Sequence, residues 1–404
     1  MALDLEKTFQ QIQVAAQNTA ASRDDVFQRL AALLEAALRP DIAASIEAKA
    51  KASQGVYNYL PASPREDVGA RHAPPALPPD FAIAATDGSH IATDRHLPLR
   101  CYLINIGGCL LTYGSRSDAR FFSEPCLYAR DEDLYLTDQA SSMSEVPVEG
   151  AILGVKRAVM EMEALAELAK QAPDDMPLLA LLDGTLILWG LSGQNVPAFV
   201  PRTLIEKGLV PAMESLREKA RTRPLALASY ISLPGSSEVV SALRLALCPY
   251  SVADCRQHCG AIRSGQRPCD TVHGFVDRHL FEKLLEPGER SALFATRSPI
   301  VRDHYGPHQV CFCYVNVEEE IARIEMPEWA AADGALLGLA HALVLDQCRR
   351  GHGYPVALSE SHEQAVVTSG DRAQFRTMVE EALQGEHLPV YTSEKDRSKR
   401  LRWL

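Results

Sequence analysis

Apolar side chains recur at helical spacing in the first 54 residues (Val26, Leu30, Leu33, Leu34, Leu38), in a background rich in Ala, Leu, Glu and Gln. That pattern predicts two amphipathic helices broken near Pro40. Residues 1–60 therefore read as a helical N-terminal arm, and the proline-rich run at 61–80 as an extended linker. The pattern then changes to short apolar runs. FAIAATDGSH predicts a buried strand ending in a turn at its Asp-Gly. CYLINIGGCLLTYG predicts a second strand, or a hairpin through Gly107-Gly108. Residues 147–170 predict a long helix with Pro147 near its start, followed by the buried strand PLLALLDG.

Further along, 203–222 reads as helix, LALASYIS as strand, and 237–246 as a helix or strand that leads into a cysteine-bearing loop. QVCFCYVNV and EIARIEMP alternate well enough to be paired strands. Residues 332–350 read as helix, a last long helix is expected near Ser359, and the tail 391–404 is basic. Buried apolar strands separated by helices imply an α/β fold with a partly parallel sheet over residues 81–390.

Composition adds bounds. With 404 residues, 47% of them hydrophobic, the chain can bury a sizeable core. No apolar stretch reaches the roughly 18–20 residues of a membrane span, and no secretory signal is visible, so a cytoplasmic protein is expected. The formal net charge of −11 counts against a protein that grips DNA unaided, because phosphate neutralisation supplies most of such binding.

Four features carry candidate chemistry. Asp87 in TDGSH and Asp183 in LLDGTL each close an apolar run and precede a glycine and a hydroxyl residue. A carboxylate at the C-terminal edge of a strand points into the crevice where open α/β sheets bind ligands. On the intervening helix, Arg157, Glu161 and Leu165 recur at i, i+4 and i+8, so Glu161 shares the core-facing stripe while Glu163 points elsewhere. In GYPVALSESHEQAVV, Ser361 and Gln364 have capping-box spacing, which would put His362 in the first turn of a helix and favour its neutral form. Neutral imidazole suits metal ligation or general-base work. The order of strand Asp, helix Glu, strand Asp and late helical His matches an RNase H-like fold. There such groups converge on divalent ions, two of which, about 4 Å apart, can serve both the attacking and the leaving oxygen of a phosphodiester.

ATDGSH, the Arg157–Glu161 segment, LLDGTLILW, GYPVALSESHEQAV, EIARIEMPEW and DQCRRGHGYP together resemble the NurA nuclease family over roughly residues 80–380. The resemblance implies an RNase H-like mixed sheet flanked by helices. It also implies a Mn²⁺- or Mg²⁺-dependent exo- and endonuclease acting on DNA. Such enzymes are often homodimers, and they work with a HerA-type hexameric ATPase in end resection and repair. It carries metal binding onto Asp87, Glu161 (with Glu163 as the alternative), Asp183 and His362, and adds Tyr354 to the catalytic set. Some relatives have a lysine in a strand after the second Asp-Gly. ASYISLPGSSEVVSALR has none here, and Arg244 stands as a candidate replacement. A non-catalytic scaffold that docks on an ATPase translocase and clamps DNA is the alternative from a different class. Separately, Cys248, Cys255, Cys259 and Cys269 lie within a 22-residue span and are candidate soft ligands for Zn²⁺ or an iron–sulfur cluster.

Overall fold

The computed structural model describes residues 3–21, 23–57, 59–94, 97–138, 141–193, 196–263 and 265–390. The basic tail at 391–404 lies outside them. Internal contacts divide the chain into two compact units. One comprises Pro74–Ser232, Ser298–Cys311 and the chain from Ile324 onward; the other comprises the chain up to Ala73, Leu233–Arg297 and Phe312–Arg323. No helix among the described residues is long and apolar enough to cross a membrane.

The first of these units is built on β1 (Phe81–Ile91), β2 (Tyr102–Tyr113), β3 (Asp118–Tyr128), β4 (Leu178–Asp183) and β5 (Leu225–Ile231). Their order in the sheet is β3-β2-β1-β4-β5. The first three strands form an antiparallel meander, and β4 and β5 run parallel to β1. The long helix α1 (Gly150–Lys170) makes the crossover into β4. This is the mixed α/β sheet flanked by helices that the apolar pattern predicts.

Alternation along β1 and β4 divides the core. Ala82, Ala84, Leu178 and Ala180 pack with Val159, Met162, Leu165 and Ala169 of α1 and with Leu204 and Met213 farther on. The odd-numbered residues point to the opposite face, where Cys109 of β2 donates to the carbonyl of Ala357 at 3.2 Å. On that side lie α2 (Gly334–Arg350) and α3 (Val356–Ala365), and α4 (Ser369–Gly385) follows them in the chain.

The differences from the sequence reading have local causes. Phe81–Ile91 runs straight through its Asp-Gly, because every residue from Phe81 to Ile91 is laddered to β2. Tyr102–Tyr113 is one continuous strand and not a hairpin, since Gly107 and Gly108 are paired on both sides. The expected single late helix is two helices, α3 and α4, separated after Ala365. Helix α3 starts at Val356, because Pro355 cannot donate and sets the N-cap. His362 therefore lies in the last turn of α3, not the first. Ser361 forms no capping box; its buried hydroxyl donates back to Leu358 O at 2.9 Å.

In the other unit the helical arm has three helices and not two: Leu5–Ala21, Arg23–Ala37 and Ile42–Ala52. Its core packs Leu33, Ile42 and Ile46 with Val239, Leu243, Phe281 and Tyr314. The segment 238–246, open between helix and strand in the sequence, is a helix. A fully buried carboxylate organises it. Asp277 accepts from the N–H groups of Val239 (3.1 Å) and Val240 (2.8 Å) and from the hydroxyl of Tyr314 at 2.7 Å. It thereby satisfies two orphan donors in the first turn of that helix. Burial pushes its carboxyl up to about 6, against the pull of those donors and of Arg323. Because the folded value exceeds the unfolded one, its contribution is fully present below about pH 4 and is lost as pH rises through about 6. The stability gap between the protein and its Asp277→Asn variant should thus shrink by about 3 kcal/mol from pH 4 to pH 7. Denaturant unfolding at four pH values checks this; a gap that stays constant counts against it.

Candidate active site

The ladder between β1 and β4 sets the geometry. Thr86 is registered with Leu182 in the parallel pairing, so Asp87 and Asp183 are the next residues on adjacent strands. Their side chains start side by side, about one strand spacing of 4.8 Å apart, on one face of the sheet. The two Asp-Gly segments differ in their backbones. Gly184 has φ +80° and turns the chain out of β4 directly after Asp183. Gly88 instead makes room: a Cβ there would stand 2.6 Å from Oε1 of Glu161.

Glu161 reaches that spot from α1. It is 8% exposed and pairs with Arg157, whose Nε is 3.0 Å from its Oε1. The angle is unsuited to a hydrogen bond, and Oε1 is left buried with no hydrogen-bond partner. Thr86 ties the helix to the strand by donating to the Glu161 carbonyl at 2.9 Å. Glu163, the alternative from the sequence, is exposed. Burial pushes the Glu161 carboxyl up to about 8; Arg157 opposes that shift, while the charges of Asp87 and Asp183 add to it. Poor hydration in the crevice raises Asp183 as well, with Asp87 adding to the shift; the hydroxyl of Tyr354, the N–H of Gly184 and His362 pull the other way.

His362 Nδ1 lies 2.7 Å from Oδ2 of Asp87. The approach depends on Gly107, the residue opposite Asp87 in the β1–β2 ladder. A Cβ on Gly107 would sit 2.3 Å from the Ala365 nitrogen, so its absence lets α3 lie against the sheet. The free carbonyl end of α3 is then tied down. Ser89 donates to Ala365 O at 2.6 Å, and the Asn105 amide to the same oxygen at 2.9 Å. Position in the last turn removes the first-turn placement on which the expected neutral ring rested. Tyr354 precedes the same helix, hydrogen-bonds Asp183, and stands edge-on to Tyr230 with ring centroids 5.5 Å apart. Burial and Asp183 raise its phenol, so the hydroxyl stays protonated and donates to the carboxylate.

Asp87, Glu161, Asp183, Tyr354 and His362 are thus neighbours in one unit. The donor set suits a hard or borderline divalent ion: carboxylate oxygens, one of them buried without a hydrogen-bond partner, and an imidazole. Burial raises Glu161 and Asp183, and the charge of Asp87 adds to both shifts, a repulsion that a cation would relieve. Among the described residues no three such side chains stand close enough to enclose an ion. Water or substrate oxygens would have to complete any coordination.

Two residues escaped the sequence reading. Glu325 is 1% exposed and accepts from Thr185 Oγ1 and Leu186 N, both at 2.8 Å, so it fixes the loop that follows Asp183. Its signal was available: a glutamate at the centre of the otherwise apolar IEMP run must be partnered if buried. His90 closes β1 near Arg157 and Arg372, both of which lower its imidazole after burial does. Arg372 donates to His90 O at 2.9 Å. Arg244, the expected lysine replacement, is instead held in the other unit by Cys269 Sγ (3.2 Å) and Asp270 (3.5 Å). The four cysteines of the soft-ligand expectation lie near one another there, since Cys248, Cys255 and Cys269 all raise the Cys259 thiol after burial does. They do not close on a single metal ion among the described residues.

A family model described as the NurA domain matches residues 81–367. A solved structure described as NurA bound to dAMP and manganese is similar to this chain at 12% identity and a TM-score of 0.32, covering 74% of this chain and 88% of that one. No curated protein matches. With the family model spanning more than half of its length, over the segment that holds all five site residues, the chain belongs to the NurA family of nucleases.

Proposed function

We propose that this protein is a divalent-metal-dependent deoxyribonuclease whose site is the crevice at Asp87, Glu161 and Asp183. The observation that carries the reading is the in-register placement of Asp87 and Asp183 on adjacent parallel strands, with the buried carboxylate of Glu161, ion-paired to Arg157, within reach of their charges. Asp87, Glu161, Asp183 and His362 would hold the metal, Mn²⁺ or Mg²⁺. Bound divalent ions supply positive charge that stabilises the developing oxyanions of phosphodiester hydrolysis. In the reaction a water oxygen attaches to phosphorus as the ester oxygen leaves, giving one phosphate end and one hydroxyl end.

The chain's own residues have distinct tasks in this reading. Tyr354 holds the rotamer of Asp183 through its hydroxyl. His362 donates from Nδ1 to Asp87, which orients that carboxylate and leaves Nε2 as the ring's ligating nitrogen. Arg157 puts positive charge beside the acids, in the role expected of the missing lysine. The net charge of −11 supports a partner that keeps DNA on the enzyme, and family membership supports a HerA-type hexameric ATPase and a homodimer.

The test is incubation of end-labelled linear and closed circular DNA with Mn²⁺, Mg²⁺ or EDTA, with and without such an ATPase. The reading expects cleavage with metal and none with EDTA. DNA left intact under every condition, but retained by the protein–ATPase pair, would establish the non-catalytic clamp instead.

A further inference from the structure

The cysteine-bearing stretch of the second unit is one that its own packing does little to hold. Between the helix that ends at Ala246 and the one that begins at Asp277, the described residues form only a five-residue helix, Cys255–Cys259, and one 3-10 turn, Asp270–Val272. The buried apolar side chains among them are Ala253, Cys269, Val272 and Phe275. A connection that long with so little core needs another fastening.

Four thiols converge there. Cys255 and Cys259 stand four residues apart on one helix and so share a face of it. Cys269 Sγ lies 3.2 Å from Nε of Arg244, whose guanidinium stands over the ring of Tyr59, 5.1 Å from its centroid. Cys248 packs with Tyr59 against the same small apolar cluster. Cys248, Cys255 and Cys269 are all within electrostatic reach of both Cys259 and Tyr59. All four are free thiols and none is paired in a disulfide.

We propose that Cys248, Cys255, Cys259 and Cys269 hold an iron–sulfur cluster that fastens this segment. The proposal is independent of the nuclease reading and of the divalent ion at Asp87 and Asp183. Three features point to it. Four sulfur donors suit a soft centre and not the hard ions that take carboxylate oxygen. Their spread suits a cluster over a single ion. A lone tetrahedral Zn²⁺, with Zn–S bonds of about 2.3 Å, draws its sulfurs to roughly 3.8 Å from one another. The thiols here do not close on one point in that way. A cluster shares its thiolates among several irons and holds them farther apart. The third feature is charge. Bound thiolates are negative, and Arg244 donates from Nε to Cys269 Sγ, a charged hydrogen bond to a ligating sulfur. Because the cluster would bind the folded segment and not the unfolded one, its binding energy becomes stability of that segment.

The experiment measures iron, acid-labile sulfide and zinc in the full chain purified without oxygen, and again after the metal-free protein is reconstituted with ferrous iron and sulfide. The expected result is roughly two to four irons per chain with as many sulfides, and a broad visible absorbance that dithionite bleaches. Cys255→Ser and Cys269→Ser should each lose most of the iron and the colour, while Cys126→Ser, on β3, keeps both. Removing the iron from the unsubstituted protein should speed trypsin cleavage at Arg256, Arg263 and Arg267, inside the fastened segment.

The iron and sulfide content of the unsubstituted protein decides the matter even where a serine variant fails to fold. Zinc bound without iron or sulfide would overturn the cluster in favour of a single-ion site. Protein that stays free of iron after reconstitution, disulfides among these four cysteines, or iron that both serine variants retain would each overturn the proposal outright.

Discussion

Asp183→Asn is expected to lower metal-dependent cleavage by at least about 10³-fold while leaving the protein as stable as before, or slightly more so. The first half follows from position. Asp183 is the last residue of β4, in register beside Asp87 and electrostatically coupled to Glu161. An amide there removes one of the charges that would hold a cation, and a 10³-fold loss corresponds to roughly 4 kcal/mol of transition-state stabilisation. The second half follows from what Asn retains. Its carbonyl oxygen can still accept from Tyr354 and from Gly184, while the repulsion that raises the Glu161 carboxyl is reduced. Single-turnover cleavage and thermal melting, measured side by side, check both halves. A variant that cleaves within ten-fold of the parent, or one that does not fold, would break the account of this residue.

Glu325→Leu should act in the opposite sense, damaging fold and activity together. Its carboxylate accepts from Leu186 N–H and the Thr185 hydroxyl with almost no exposure to water. Leucine would strand the buried Leu186 N–H, at a cost of about 1–3 kcal/mol, while the hydroxyl of the exposed Thr185 turns to water. For a unit of this size a loss of roughly 2 kcal/mol lowers Tm by on the order of 4–8 °C. The loop from Gly184 to Gly190 also carries the exit from β4, so cleavage should fall with stability. Glu325→Gln keeps an acceptor and should lie between the two. A Leu variant with the melting temperature of the parent would show that the loop is held by something else.

How much of this was legible in the chain depends on the kind of signal. The strands around Asp87 and Asp183 and the helix bearing Glu161 follow from apolar runs and helical spacing, which burial enforces whatever the partners are. The burial of Glu161 and the exposure of Glu163 also follow, because the core-facing stripe includes Leu165 and excludes Glu163. Residue placement within α3 did not follow. Ser361 and Gln364 have the spacing of a cap, but Pro355 starts the helix a turn and a half earlier, and tertiary contacts at Ala365 fix its end. That shift removed the first-turn placement of His362 on which its expected neutral form rested. The role of Gly107 was equally hidden. A glycine in a strand can mark a hairpin, a bulge or a close approach, and only the packing of α3 against the sheet decides among them. Arg244 failed as the phosphate contact because nothing in the sequence reveals Asp270 and Cys269 as its partners.

The central claim is that Asp87, Glu161 and Asp183 jointly hold a divalent ion, and Mn²⁺ itself reports on it. Titration of the protein with Mn²⁺, followed by the electron paramagnetic resonance signal of the free ion, should reveal binding that weakens by at least about ten-fold in each of Asp87→Asn, Glu161→Gln and Asp183→Asn. Three variants that take up Mn²⁺ as the parent does would contradict the account.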